Sequence, residues 1–147
     1  MESVERTPWA RPNPAAERSL LDDCLEACAQ CELACVACAD ACLGELQIDA
    51  LRACIRLNID CADTCDVTAR LLARRRTGDP EFLRAQLEAC ARICASCGAE
   101  CLRHAGHHEH CRICAEVCRR CEERCWETLR GLASDGISDL DGVNERA

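Results

Sequence analysis

The chain has 147 residues, a formal net charge of -8 and 18 cysteines, with no tyrosine, one phenylalanine and two tryptophans. That length bounds it to one domain, the negative charge argues against binding a nucleic-acid backbone, and 2% aromatic residues leave no platform on which bases stack. Setting the 18 thiols aside lowers the apolar fraction from 49% to roughly 37%, below the ~45–50% of ordinary globular chains, so cysteine has to supply core volume.

Residues 1–13 read as an extended N-terminal segment. Met1–Arg18 contains Trp9 and three prolines but no apolar run of signal-peptide length and no twin arginine, so the expected compartment is the cytosol, where thiols stay reduced. A first helix is predicted over about 14–43, with Asn13 as cap, Pro14 in the first turn and Gly44 at its end. It carries Cys24, Cys28, Cys31, Cys35, Cys38 and Cys42. The second, over about 46–77, starts between Glu45 and Asp49 and closes on Arg74, Arg75 and Arg76, cations that suit a helix C-terminus. Its core register holds Cys54, Cys61 and Cys65 together with two polar residues, Asn58 and Thr68. Asp79, Pro80 and Glu81 open a third helix over about 80–105, which carries Cys90, Cys94, Cys97 and Cys101. Gly98 lies inside it against helix propensity, as a close helix approach requires. The fourth, over about 108–132, carries Cys111, Cys114, Cys118, Cys121 and Cys125. Residues 134–147, rich in Asp, Gly, Ser and Asn, read as a flexible tail without the spacing of a calcium loop.

Steps of three and four place these cysteines at the positions where a helix bundle holds Leu and Ile. Four helices on short loops return antiparallel, so the predicted fold is all-α, an up-down-up-down four-helix bundle over 14–133 with a cysteine-lined core. One end continues into Leu21, Leu72, Leu83, Leu87 and Leu132 beside Trp126 and Leu129, an apolar plug. The other end continues into His104 and is preceded on helix four by His107, His108 and His110. Four histidines so close to a thiol-lined core point to a metal role for at least one of them. For Asn58, a weak oxygen ligand and a hydrogen-bonded core amide both fit, and spacing alone favours the amide. No stretch approaches the ~20 apolar residues of a membrane span.

Disulfides between neighbours along one helix are excluded by reach, since residues three or four apart hold their Cβ atoms about 5–6 Å apart against the roughly 3.5–4.5 Å a disulfide needs. Zinc ribbons place C-x-x-C pairs at turns rather than in unbroken helices, the ferredoxin cysteine run is absent, and no strand pattern supports a thioredoxin-like motif. A soft ion that accepts two or three thiolates and bridges freely remains, which describes Cu(I). Monovalent copper, many ions per chain at about one per cysteine, would neutralise a core of thiolates; metal-free thiols stay protonated and pack as small hydrophobes. A zinc or general soft-metal thiolate buffer is the alternative. A thiol-redox protein is the third reading, but repetitive rows offer no singular activated cysteine, and no enzyme activity is expected.

The segments CLEACAQCELACVACADACLGE at 24–45, CIRLNIDCADTC at 54–65, CARICASCGAEC at 90–101 and RHAGHHEHCRICAEVCRRCEERC at 103–125 resemble the cytosolic copper storage proteins, bacterial four-helix bundles that bind copper. The resemblance implies high-capacity Cu(I) storage on core thiolates, a homotetramer, and a polar mouth at which Asn58, His104, His108 and His110 look like ligands. His107 has no counterpart in that pattern. Partners in keeping with this role are Cu(I) itself and a copper chaperone, with neither nucleic acid nor membrane.

Overall fold

The computed structural model describes residues 19–146, with side chains as far as residue 133. Its helices are α1, Leu20–Leu43; α2, Arg52–Ala73; α3, Pro80–His104; and α4, Glu109–Arg146; no strand occurs among the described residues. Ser19 starts α1 by accepting a hydrogen bond from the Asp22 N–H at 3.1 Å, and Asp22 and Asp23 place negative charge in the first turn, where the helix dipole favours it. The cap expected at Asn13 and Pro14 lies outside the described residues. At the far end the Gly44 N–H reaches the carbonyls of Ala41 and Cys42, with a right-handed φ of -85° that any residue adopts.

α2 is shorter than expected at both ends: a single 3-10 turn, Ile48–Leu51, precedes it and buries Leu51 to 1% exposure beside the thiols, and the helix stops at Ala73, before the arginine cluster rather than after it. α3 begins as its sequence requires, the Asp79 carboxylate accepting from the N–H groups of Glu81 and Phe82 at 2.9 and 3.4 Å with Pro80 in the first turn. α4 departs most from expectation: its backbone continues past 132 to Arg146 through the stretch read as a flexible tail. Asp, Ser and Asn each oppose a helix by up to about 0.7 kcal/mol and Gly by about 1 kcal/mol, less than the ~3 kcal/mol of a proline, and no proline follows Leu132 to stop it.

Sulfur pairs across the core show how the helices run. Cys24 meets Cys125 at 3.8 Å, Cys28 meets Cys121 at 3.7 Å, Cys31 meets Cys118 at 3.8 Å and Cys35 meets Cys114 at 3.8 Å, so α1 and α4 are antiparallel. Cys54 with Cys101, Cys61 with Cys94 and Cys65 with Cys90, at 3.6–3.8 Å, make α2 and α3 antiparallel as well. Cys28 with Cys90, Cys31 with Cys94 and Cys35 with Cys97, at 3.9–4.0 Å, run in the same sense along the diagonal of α1 and α3. The result is the up-down-up-down bundle, with helix backbones at the corners and sulfurs filling the middle. Small residues permit this: Ala27, Ala39, Ala62, Ala91 and Ala115 are buried beside the thiols. Gly98 supplies the close approach read from its position, since a Cβ there would stand 3.3 Å from the Cys118 Cβ of α4.

The apolar plug forms, with a sharper hierarchy than its spacing indicates. Leu72 and Leu87 are fully buried, whereas Leu21, Leu83, Trp126, Leu129 and Leu132 are partly buried and pack around them. An ion pair between Arg75 and Asp22 at 2.8 Å, with Arg75 also donating to the Leu72 carbonyl at 2.7 Å, ties the end of α2 to the start of α1 over that plug. The caps, the buried alanines and the leucine plug are held by hydrogen bonds and apolar contacts that involve no metal ligand. The reduced, chelator-treated protein is therefore expected to give a strongly helical circular dichroism spectrum; a coil spectrum that turns helical only with metal would mean that the ion templates the fold, as zinc does in zinc fingers.

Candidate metal centre

α1 places its six cysteines over the 19 residues from Cys24 to Cys42, about 27 Å of helix, all on the face turned inward. The other helices do the same, and no cysteine of the 18 is more than 1% exposed. Their sulfurs form overlapping quartets whose ligand atoms all lie within 4.8 Å of one another. From the plug toward the mouth these include Cys28, Cys90, Cys121 and Cys125; Cys31, Cys65, Cys94 and Cys121; Cys31, Cys35, Cys61 and Cys118; Cys35, Cys97, Cys114 and Cys118; and Cys38, Cys42, Cys54 and Cys111. Because Cys31, Cys35, Cys118 and Cys121 each serve two quartets, the first four are not separate four-ligand sites but one run of shared sulfur, while Cys38, Cys42, Cys54 and Cys111 share no member with those four.

Asn58 interrupts the column. It is fully buried, its amide donates to the Cys54 carbonyl at 2.8 Å, and its Oδ1 accepts from the thiols of Cys114 at 3.0 Å and Cys97 at 3.2 Å. It is thus a satisfied core amide whose oxygen also faces the thiols. Thr68, in the same register, hydrogen-bonds the Thr64 carbonyl at 2.7 Å and receives Gln86 at 3.0 Å.

At the mouth, His110 lies against the last thiols, its Nδ1 3.5 Å from Cys111, 3.6 Å from Cys38 and 3.8 Å from Cys42. Its Nε2 meets the Glu45 carboxylate at 2.9 Å, and His108 Nδ1 meets the same carboxylate at 3.0 Å. His104 pairs through Nε2 with Glu100 at 2.9 Å. His107 is exposed. The sequence reading found the histidines and missed both carboxylates. Glu100 stands four residues before His104 on one helix, a spacing that could have signalled the pair, whereas Glu45 lies in a connecting segment 65 residues from His110 and carries no local signal.

Burial and shared S–H hydrogen bonds decide the protonation of this core. Burial, followed by the charge of Cys54, pushes the Cys42 thiol up to about 11. Burial likewise raises Cys111, with Cys54 and Cys42 adding to it. Hydrogen bonds from Cys101 first, then Cys38, lower Cys54, while Cys101 is itself raised by its bonds to Cys114, Cys38 and Cys54. A thiolate formed at one sulfur therefore holds its neighbours protonated, and the metal-free core cannot ionise as a whole. At the rim, hydrogen bonding from His110 holds the Glu45 carboxyl below its ordinary range.

Comparison with known proteins agrees with this geometry. A family profile described as copper storage protein matches residues 17–130. An uncharacterised cysteine-rich protein of Bacillus subtilis strain 168, YhjQ, is 39% identical over 102 residues, 69% of this chain and 89% of that protein. The Streptomyces lividans copper storage protein Ccsp loaded with 10 copper equivalents superposes with a TM-score of 0.78 at 48% identity, covering 89% of this chain and 98% of that one. A cytosolic copper storage protein of the same organism carrying five coppers superposes at 0.76 with 54% identity, covering 78% of this chain and 96% of that one. With its helical column of thiols, its histidine mouth and a family match over most of its length, the chain belongs to the copper storage protein family.

Proposed function

We propose that this protein stores Cu(I) at high capacity in the cytosol, about one ion per cysteine, on thiolates contributed by all four helices, with Asn58, His104, His108 and His110 as mouth ligands for entry and release. The observation that carries the reading is the overlap of the thiol quartets. Sulfurs 3.6–4.0 Å apart can share bridging soft ions, and sharing is what a column with common members demands. Zinc prefers four ligands to itself, so successive closed sites would compete for Cys31, Cys35, Cys118 and Cys121. Charge points the same way: a monovalent ion replaces each thiol proton one for one and leaves the core neutral.

Self-association into the homotetramer implied by the family resemblance is supported by the outer face of α1, where Leu33, Val36 and Leu43 are 68%, 54% and 57% exposed. A copper chaperone is the class of donor we propose for the mouth. No helix among the described residues is long and apolar enough to cross a membrane.

Parallel titrations of the reduced protein with Cu(I) and Zn(II), read by native mass spectrometry and thiol accessibility, test the storage reading. Cu(I) should load to about one ion per cysteine, release protons, and displace zinc. A limit of a few ions per chain, or zinc that copper cannot displace, would sink it. In the same assay, replacing His104, His108 and His110 together by alanine should alter the rates of loading and removal while capacity falls by only the outermost ions. Loss of most of the copper in that variant would make the histidines structural rather than ligands of a mouth.

A further inference from the structure

Glu45 follows directly on the end of α1, its own N–H donating to the Cys42 carbonyl at 3.1 Å. One of its carboxylate oxygens, Oε2, serves two imidazoles, His108 through Nδ1 at 3.0 Å and His110 through Nε2 at 2.9 Å. The two rings have centroids 5.3 Å apart and are tilted by 32°. A carboxylate only accepts, so in a neutral imidazole the nitrogen facing it carries the hydrogen and the opposite nitrogen keeps its lone pair. One oxygen therefore holds the two histidines as opposite tautomers, with the lone pair on Nε2 of His108 and on Nδ1 of His110. The second of these is the nitrogen that lies 3.5–3.8 Å from Cys111, Cys38 and Cys42. Released from the carboxylate, His110 would be free to carry its hydrogen on Nδ1 and present the thiols with an N–H, which cannot ligate a cation.

We propose that Glu45 is a positioning residue for metal entry, keeping lone pairs on His108 Nε2 and His110 Nδ1 so that the two rings pass Cu(I) inward to the quartet of Cys38, Cys42, Cys54 and Cys111. The inference rests on the storage reading above. Glu100 does not duplicate the role, because it bonds His104 from the same helix, four residues away, and has no link to α1. Glu45 ties both rings to the turn that begins at Cys42, so the relay is anchored to the segment that carries one of its first thiols. Such an outer partner fixes the tautomer of metal-binding histidines generally, and its loss typically costs about 10–100-fold in affinity or activity.

The test uses Glu45→Ala, Glu45→Gln and, as a control with the same charge change, Glu88→Gln, whose exposed carboxylate pairs with Arg92 at 3.1 Å. In the metal-free parent, long-range ¹⁵N NMR of the imidazoles should show hydrogen on His110 Nε2 and on His108 Nδ1; in Glu45→Ala both rings should become tautomer mixtures. Uptake from a Cu(I)–bicinchoninate complex should slow about 10-fold in Glu45→Ala, with a smaller effect in Glu45→Gln and none in the control. Should Glu45→Ala lose helicity, the near-isosteric Glu45→Gln carries both readouts. Unchanged tautomers, or uptake at the parent's rate in the Glu45 variants, would overturn the proposal. A parent that fails to accumulate copper would overturn the storage reading instead, and the tautomers of the metal-free protein would still judge Glu45.

Discussion

Replacing Cys31 and Cys35 together by serine is expected to give a folded bundle that holds on the order of four fewer Cu(I) ions, all lost from the middle of the column. These two sulfurs touch all three other helices: Cys31 lies 3.9 Å from Cys61, 4.0 Å from Cys94 and 3.8 Å from Cys118, and Cys35 lies 4.0 Å from Cys97 and 3.6 Å from Cys118. Three of the quartets contain one or both of them. A hydroxyl is a hard, poor ligand for Cu(I), so each of those quartets loses the soft donor that lets it share an ion with the next. The fold should survive because each new hydroxyl has a local partner. Thr68 and Thr128 already satisfy their hydroxyls in this bundle by donating to the carbonyl four residues back, both at 2.7 Å, and serine can do the same at a cost of about 1 kcal/mol per site. Native mass spectrometry at saturation and competition against a Cu(I) chelator measure the effect. A double variant that binds as much copper as the parent, with unchanged competition, would make these thiols packing rather than ligands and would remove the basis of the storage mechanism.

Leu72→Ala should do the reverse, weakening the fold and leaving the copper content of each folded molecule unchanged. Leu72 is fully buried in the plug, away from the mouth, and truncating such a side chain typically costs about 2–5 kcal/mol through lost burial and the cavity left behind. For a chain of this size that corresponds to a melting temperature lower by roughly 10 °C in the metal-free protein. Leu87→Ala, equally buried on α3, should match it, whereas Leu21→Ala, only partly buried, should cost about 1 kcal/mol. Thermal unfolding of the three reduced variants ranks them. Equal losses for Leu21 and Leu72 would mean that the plug is not organised around the two central leucines, and a drop in copper per folded chain would tie the plug to the metal sites.

The sequence alone determined which residues face inward. A helix repeats every 3.6 residues, so steps of three and four between cysteines assign them to one face whatever surrounds the helix, and the same arithmetic put Asn58 and Thr68 among the buried positions where the structure has them. The start of α3 was equally legible, because Asp79 and Pro80 act on the turn they belong to. Other features depend on residues that are remote in the chain or on the balance of weak local preferences. Leu51 is buried only because a 3-10 turn folds it over the thiols, and α4 runs on past Leu132 through residues whose individual preferences oppose a helix. The sharing of Cys31 and Cys35 between quartets, and the meeting of Glu45 with His108 and His110 across 63 and 65 residues of sequence, required the tertiary structure. Periodicity fixes the angle of a side chain about its own helix axis, but the height of one helix against another is set by loop geometry and by packing at every level of the core, and that height decides which sulfurs and which carboxylate end up side by side.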